Sequence, residues 1–296
     1  MKKNIAIIAL GVVSLIALPS CSTNTTAPSA PTTATVAPNP QAAIKAGGSS
    51  STVDFLRTMT AAYEARAKTG QITLLEPGQS ENIVAGVKQG LIDIGVLSKS
   101  LKPEDLGSGL ESREVARDAL LVATHPSVTG VKNLTTANLK AIYSGSVTNW
   151  RQLGGPDAEI VVLDRPEDES AKRLLRKHYL GKELQNAPNA VVLRKEGELI
   201  QTIQSTPYSI GAFSLAHAIS HNLPVNRLSL NNIAPTPENM KTGQYPMYRT
   251  ITIVWNKKAS QATQSFISYI SGEPGIAVLE QAGFAAISPI TGSQNQ

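Results

Sequence analysis

An α/β fold with mostly parallel sheets is predicted by three features of this 296-residue sequence. Short apolar runs alternate with amphipathic helical stretches, glycine and proline punctuate the joins, and no segment recurs at a fixed period. ITLLEPG closes an apolar run on Pro77 and Gly78, and SENIVAGVKQG follows with Ile83, Val84 and Val87 at helical spacing. LIDIGVLS reads as a buried strand, and DALLVATHP as another, stopped by proline. NLTTANLKAIYSG carries Leu134, Leu139 and Ile142, a cap at Thr135 or Thr136 and a terminal glycine, the marks of a helix. EIVVLD is a strand, after which Ala171, Leu174, Leu175 and Tyr179 share one helix face. AVVLR and ELIQTIQS repeat strand then helix. YRTITIVW is a strong strand, and SQATQSFISYISG an amphipathic helix ending at Gly272.

The first residues, MKKNIAIIALGVVSLIALPSC, join two lysines to an apolar run from Ile5 to Leu18 and small residues before Cys21. This is the pattern of a secretory signal, and the run is too short for a stable membrane span. Cys21 is the only cysteine, so no internal disulfide staples the fold. Leu18-Pro19-Ser20-Cys21 resembles the lipobox of bacterial lipoproteins, with Pro19 unusual at its position. Residues 1–20 are therefore expected to be a lipoprotein signal peptide, and 21–41 the lipidated cysteine and a disordered tether; plain secretion with a free thiol is the alternative. The tether STNTTAPSAPTTATVAPNPQ has no charge and almost no large apolar side chain, so it cannot bury enough surface to fold. Fully stretched it would reach about 65 Å. The formal charge of +5 falls to +3 without Lys2 and Lys3. With no basic run and no aromatic stacking series, nucleic acid is not an expected partner.

Ligands of α/β folds gather at the carboxyl ends of strands, where loops enter helices. Three such junctions stand out. KAGGSSSTVDF frees its backbone at Gly47 and Gly48 and supplies hydroxyls; EPGQSENIV places Ser80 before a helix; DRPEDESAKR sets one arginine and three carboxylates at a strand-to-helix turn. Hydroxyls and amides at the first two, with Arg165 at the third, would cradle an oxyanion without a metal. Taken singly, Ser51 or Thr52, Ser80 and Glu169 read as plain helix N-caps. GQSEN lacks the last glycine of a hydrolase elbow, and no catalytic residue or enzyme activity is expected. His217 and His221 lie four apart, a spacing able to hold a metal, but no third ligand is apparent. They read as solvated histidines, so neither metal nor cofactor is expected. Trp150 and Trp255 read as core anchors.

GGSSSTVDF, VKQGLIDIGVLSKSL, NLTTANLKAIYSGSVTNWRQLGG, EIVVLDRPEDESAKRLL, YSIGAFSLA and APTPENMKTGQYPMYRTITIVWNKKAS occur in that order. Together they resemble the phosphate-binding receptors of bacterial ABC phosphate importers, over nearly all the chain after the tether. The resemblance implies a two-lobed periplasmic-binding-protein fold of type II, each lobe a mostly parallel sheet flanked by helices. One lobe would hold 42–122 plus 232–296 and the other 123–231, closing on inorganic phosphate or a related oxyanion. It also implies a monomer, partnered by ABC permease subunits and held to the membrane, periplasm-facing, by its lipid anchor. The family's binding loops map onto Ser50, Ser51, Thr52, Ser80, Ser98 and Arg165.

One loop departs from the family. Where its members carry Gly-Ser-Gly-Thr after the arginine and two variable residues, this chain has Asp168, Glu169, Ser170 and Ala171. A carboxylate about 4 Å from a bound anion would repel it by roughly 4 kcal/mol per unit charge at an effective dielectric near 20. Micromolar binding is worth only about 8 kcal/mol. Three outcomes stand open: the acids turn to solvent and phosphate still binds through Arg165, Ser170 and the other serines; Glu169 or Asp168 accepts a hydrogen bond from the ligand; or the acids fill the anion site. The first is the expected function. The last describes a divergent member acting in sensing or envelope organisation.

Overall fold

The computed structural model describes residues 43–67 and 71–287, all within one compact unit, Pro40–Gln296. The expected signal peptide, Cys21 and the tether lie outside the described residues. The chain enters on β1 (Ile44–Gly48), turns through a 3-10 segment at Ser50–Thr52 into α1 (Val53–Ala67), and continues through β2 (Ile72–Leu74), α2 (Ser80–Lys88), β3 (Ile94–Leu97) and α3 (Pro103–Leu106). The long β4 (Leu110–Thr124) leads to β5 (Asn133–Leu134), α4 (Thr136–Ser144), β6 (Val161–Asp164), α5 (Ser170–Leu175) and β7 (Val191–Val192). Then come α6 (Glu196–Ser205), β8 (Ser209–Ser214), α7 (Leu215–Ser220), β9 (Asn226–Arg227), β10 (Ser229–Leu230) and α8 (Pro237–Lys241). β11 (Tyr248–Asn256), α9 (Gln261–Ser271), α10 (Glu273–Gln281) and β12 (Ala285–Ala286) complete it.

The sheet runs β2-β1-β3-β11-β4-β8-β6-β7, with β12 and β9 also on β4. Its flanks are parallel: β1 with β2 and β3, and β6 with β7 and β8. Its centre is not. β4 pairs antiparallel with β11 along Leu110–Ala119 and then with β8 along Leu120–Thr124, and β11 pairs antiparallel with β3. One fifteen-residue strand therefore belongs to both halves of the molecule. Apolar runs announce buried strands, but not which neighbour each will find, so the antiparallel centre was not visible in the sequence.

Two large cores flank this shared strand. One gathers Leu120–Ala123, Leu139, Trp150, Leu163, Leu175, Ile203, Phe213 and Tyr245. The other gathers Ile44, Phe55, Met59, Ile94, Ile253, Trp255, Phe266 and Leu279. Both tryptophans are buried anchors, at 0% and 4% exposure. Thr135 caps α4 by accepting from the amide of Asn138 at 3.1 Å, and Gly145 ends that helix in the left-handed region. Among the described residues no helix is long and apolar enough to cross a membrane.

Candidate functional site

The end of β1 is built for close approach. A Cβ on Gly48 would lie 2.5 Å from Thr52 Oγ1 and 2.7 Å from Leu56 Cδ1, so only glycine lets the turn fold against the strand. Thr52 is fully buried, and its hydroxyl donates to the carbonyls of Ser49 at 2.9 Å and Val96 at 3.2 Å. That hydroxyl closes the 3-10 turn and lies in the interior. Ser51 instead reaches across to β3's end, donating from Oγ to Ser98 Oγ at 2.8 Å. Because the Ser98 oxygen accepts that bond, its own proton is left to donate. The second loop lies alongside: the Gly78 amide donates to the Gly48 carbonyl at 3.0 Å, and Ser80 begins α2.

Two cavities open here. One of about 220 Å³ is lined by Ser50, Ser51, Asp54, Arg57, Glu196 and His217. The other, about 270 Å³, takes in Ser98, Lys99, Ser170, Arg173, Lys177 and Arg249. The Ser51–Ser98 bond joins their linings, so the structure brings five expected residues to one neighbourhood: Ser50, Ser51, Ser98 and Ser170 on the cavity walls, with Ser80 on the adjoining loop.

The third loop answers why one turn carries so many acids. Glu167 takes a forked bond from Arg176, at 2.6 and 2.9 Å, and accepts from Asn186. The Arg176 hydrogen bonds hold its carboxyl down to about 2. Asp168 pairs with Arg194 at 3.0 Å. Glu169 takes Arg165 Nη2 at 3.1 Å and lies 3.6 Å from Arg194. Each carboxylate is held by a nearby guanidinium, and Glu169, although at the N-cap position, makes no side-chain cap. The helix behind it is only six residues long. Beneath the loop, Lys172 is fully buried, bound to Asp164 and to Asn186.

Arg165 itself is 5% exposed. One nitrogen meets Glu169, while Nε and Nη1 have no hydrogen-bond partner among the described residues. A buried charged donor without an acceptor is costly, and two of them on one guanidinium ask for an anion.

Close by lies a second buried cluster that the sequence reading missed. Arg249 donates to Glu196 at 2.5 and 3.2 Å, and Asp118 stands 3.9 Å away. Burial pushes the Asp118 carboxyl up to about 6, against the pull of Arg249. Burial works the same way on Glu196, but the charge and hydrogen bonds of Arg249 hold it below the usual range. The signal available was Arg249 itself, a charge inside the strand-like run YRTITIVW.

The profile of the PBP superfamily domain matches residues 25–273. The chain belongs to this superfamily. Its two-lobed α/β architecture is that of the type II periplasmic-binding fold. This PBP-superfamily chain is 29% identical over 252 residues to the phosphate-binding protein PstS of Borreliella burgdorferi, covering 82% of this chain and 90% of the relative. It is 25% identical over 203 residues to PstS of Bacillus subtilis, covering 67% of this chain but 65% of that one. A crystal structure from Clostridium perfringens, described as a phosphate ABC transporter substrate-binding protein with bound phosphate, superposes with a TM-score of 0.70 at 25% identity. That superposition covers 83% of this chain and all of the other.

Proposed function

We propose that this PBP-superfamily chain is an extracytoplasmic solute-binding lipoprotein that captures inorganic phosphate between its lobes and delivers it to an ABC permease. The single observation that carries the reading is Arg165: a nearly solvent-excluded guanidinium whose Nε and Nη1 have no partner among the described residues. Two oxygens of a tetrahedral oxyanion would satisfy both. Ser98, whose own proton is left free by the 2.8 Å bond it accepts from Ser51, and Ser170 would supply neutral donors from the facing loops, with Ser51 orienting Ser98. Ser50 and Ser80 adjoin them. Thr52 stays outside this set, because its hydroxyl already serves two carbonyls.

The lobes of this proposal are 42–122 with 232–296, and 123–231; two cores on either side of β4 support two lobes, with Met240, Tyr245 and Met247 crossing to pack in the core of the second. Binding shifts an open–closed equilibrium, because only the closed form brings Arg165 and the serines to one anion. No covalent step is involved. Cys21, lipidated, would hold the domain at the membrane on its tether.

A second reading has one observation in its favour, the Glu169 carboxylate on Arg165 Nη2. There the chain keeps the fold and has lost its anion, serving in sensing or envelope organisation. Calorimetry of the full chain separates the two. Phosphate is expected to bind with roughly micromolar affinity, and Arg165→Ala to lose it by at least ~100-fold, as removal of two charge-assisted bonds requires. Silence across phosphate, sulfate and phosphonates would leave only the second reading.

A further inference from the structure

The histidine pair that the sequence left without a third ligand has one in the structure. His217 lies on α7 and His221 directly follows it, one helical turn on, so both rings leave the same side. The rings stack at 4.1 Å between centroids with 19° between planes. Asp54, in the first turn of α1, brings Oδ2 to 2.7 Å from His217 Nδ1. One ligand atom from each of Asp54, His217 and His221 lies within 4.8 Å of the others.

We propose that Asp54, His217 and His221 form a binding site for one transition-metal dication, with Zn²⁺ as the fitting ion. Two imidazoles and a carboxylate are the borderline-soft set that Zn²⁺ takes, at about 2.0–2.2 Å per bond. Tetrahedral bonds of that length set ligand atoms about 3.4 Å apart. The widest separation among the three groups must therefore close by up to about 1.4 Å, with the exposed His221 ring turning. His221 Nδ1 lies 3.1 Å from the His217 carbonyl, the kind of outer bond that fixes a tautomer and leaves Nε2 for a metal. Asp54 and His217 are only 26% and 20% exposed, so the packing already orients two of the ligands.

Three ligands leave a fourth coordination position, and the adjoining cavity of about 220 Å³ has room for a water there. Arg57 lines the same cavity and opposes a cation; Glu196 lines it too and favours one. The site shares that cavity with Ser50 and Ser51 but uses none of the side chains proposed to bind phosphate. It would tie α1, whose Phe55 and Leu56 belong to one core, to α7, whose Leu215 and Ala218 belong to the other.

The test uses the full chain, untagged and stripped with EDTA, titrated with ZnCl₂ by calorimetry and followed by thermal unfolding. One ion per chain is expected at this site, with a raised Tm, and a visible absorption band when Co²⁺ replaces Zn²⁺. His221→Gln, an exposed change that should leave the metal-free Tm unaltered, is expected to weaken Zn²⁺ at least ~10-fold and abolish the Tm rise. Asp54→Asn should weaken it similarly, and His178→Gln, elsewhere on the surface, not at all. Zn²⁺ affinity and Tm rise that are the same in His221→Gln as in the parent would overturn the proposal. So would a parent chain that binds no Zn²⁺.

Discussion

The hydroxyl loop at Ser49–Thr52 and the arginine loop at Asp164–Ser170 both close a strand and open a helix, yet they hold their polar groups in opposite ways. The first uses neutral dipoles. Thr52 anchors to carbonyls and Ser51 leans on Ser98, and that relay ends on a proton still available. The second uses charges that cancel among themselves: Glu167 on Arg176, Asp168 on Arg194, Glu169 on Arg165, Lys172 on Asp164. Ser98 keeps its capacity to donate because the bond it accepts from Ser51 occupies a lone pair and not its one proton. A charged pair is different, since each partner screens the other from anything that arrives later. Among the described residues, the buried donors left open on the charged side are two nitrogens of the Arg165 guanidinium.

The largest effect is expected where that charged loop is deepest. Lys172 has no exposure and Asp164 only 2%. Replacing Lys172 with Met would leave a buried carboxylate with no cation, at a cost of about 3–5 kcal/mol. Urea unfolding reads this directly. The double change with Asp164→Asn should recover most of the loss, because then neither charge is stranded. A single-variant loss under about 1 kcal/mol would mean the pair is not the loop's support.

How much of each loop was legible follows from the same contrast. Gly47-Gly48-Ser49-Ser50-Ser51-Thr52 declares itself locally: glycines to allow close approach, then hydroxyls, then a helix. Strands and helices were legible for the same reason, since period and punctuation are local. The arginine loop showed its charges but not their partners. Glu167 meets Arg176 nine residues on, and Asp168 meets Arg194 twenty-six on. Lys172 falls beside the apolar helix face of Ala171 and Leu175 and reads as a surface lysine until Asp164 is placed under it. Arg249 with Glu196, and Asp54 with His217, are 53 and 163 residues apart, joined only by the crossing of β11, α6, α1 and α7. No pattern within a window reports such pairs.

The comparison sharpens at Glu169, the acid paired with Arg165. Glu169→Ser would restore a neutral side chain, free Nη2 and remove a negative charge beside the proposed anion. At a separation of about 7 Å and an effective dielectric near 20, that charge costs a phosphate monoanion about 2.4 kcal/mol. Phosphate affinity should therefore rise by roughly 50-fold, measured by the same calorimetry. Unchanged or weaker binding would mean that Glu169 helps the ligand, as an acceptor for a protonated oxyanion, and that the two loops are more alike than their charges suggest.

The smallest effect belongs to the neutral side. Ser98→Ala removes a single hydroxyl, takes away the acceptor of the Ser51 bond and leaves the backbone in place. A hydrogen bond to a charged ligand is worth about 1.5–3 kcal/mol, and the Ser51 proton, released from Ser98, can turn to replace part of it. A loss near 10-fold is expected, with Ser51→Ala no worse and the double variant clearly below either single one. If both single variants bind phosphate as the parent does while Arg165→Ala abolishes it, the charged loop works alone. The hydroxyl loop would then be a structural turn, its serines bonded to one another for the sake of the fold.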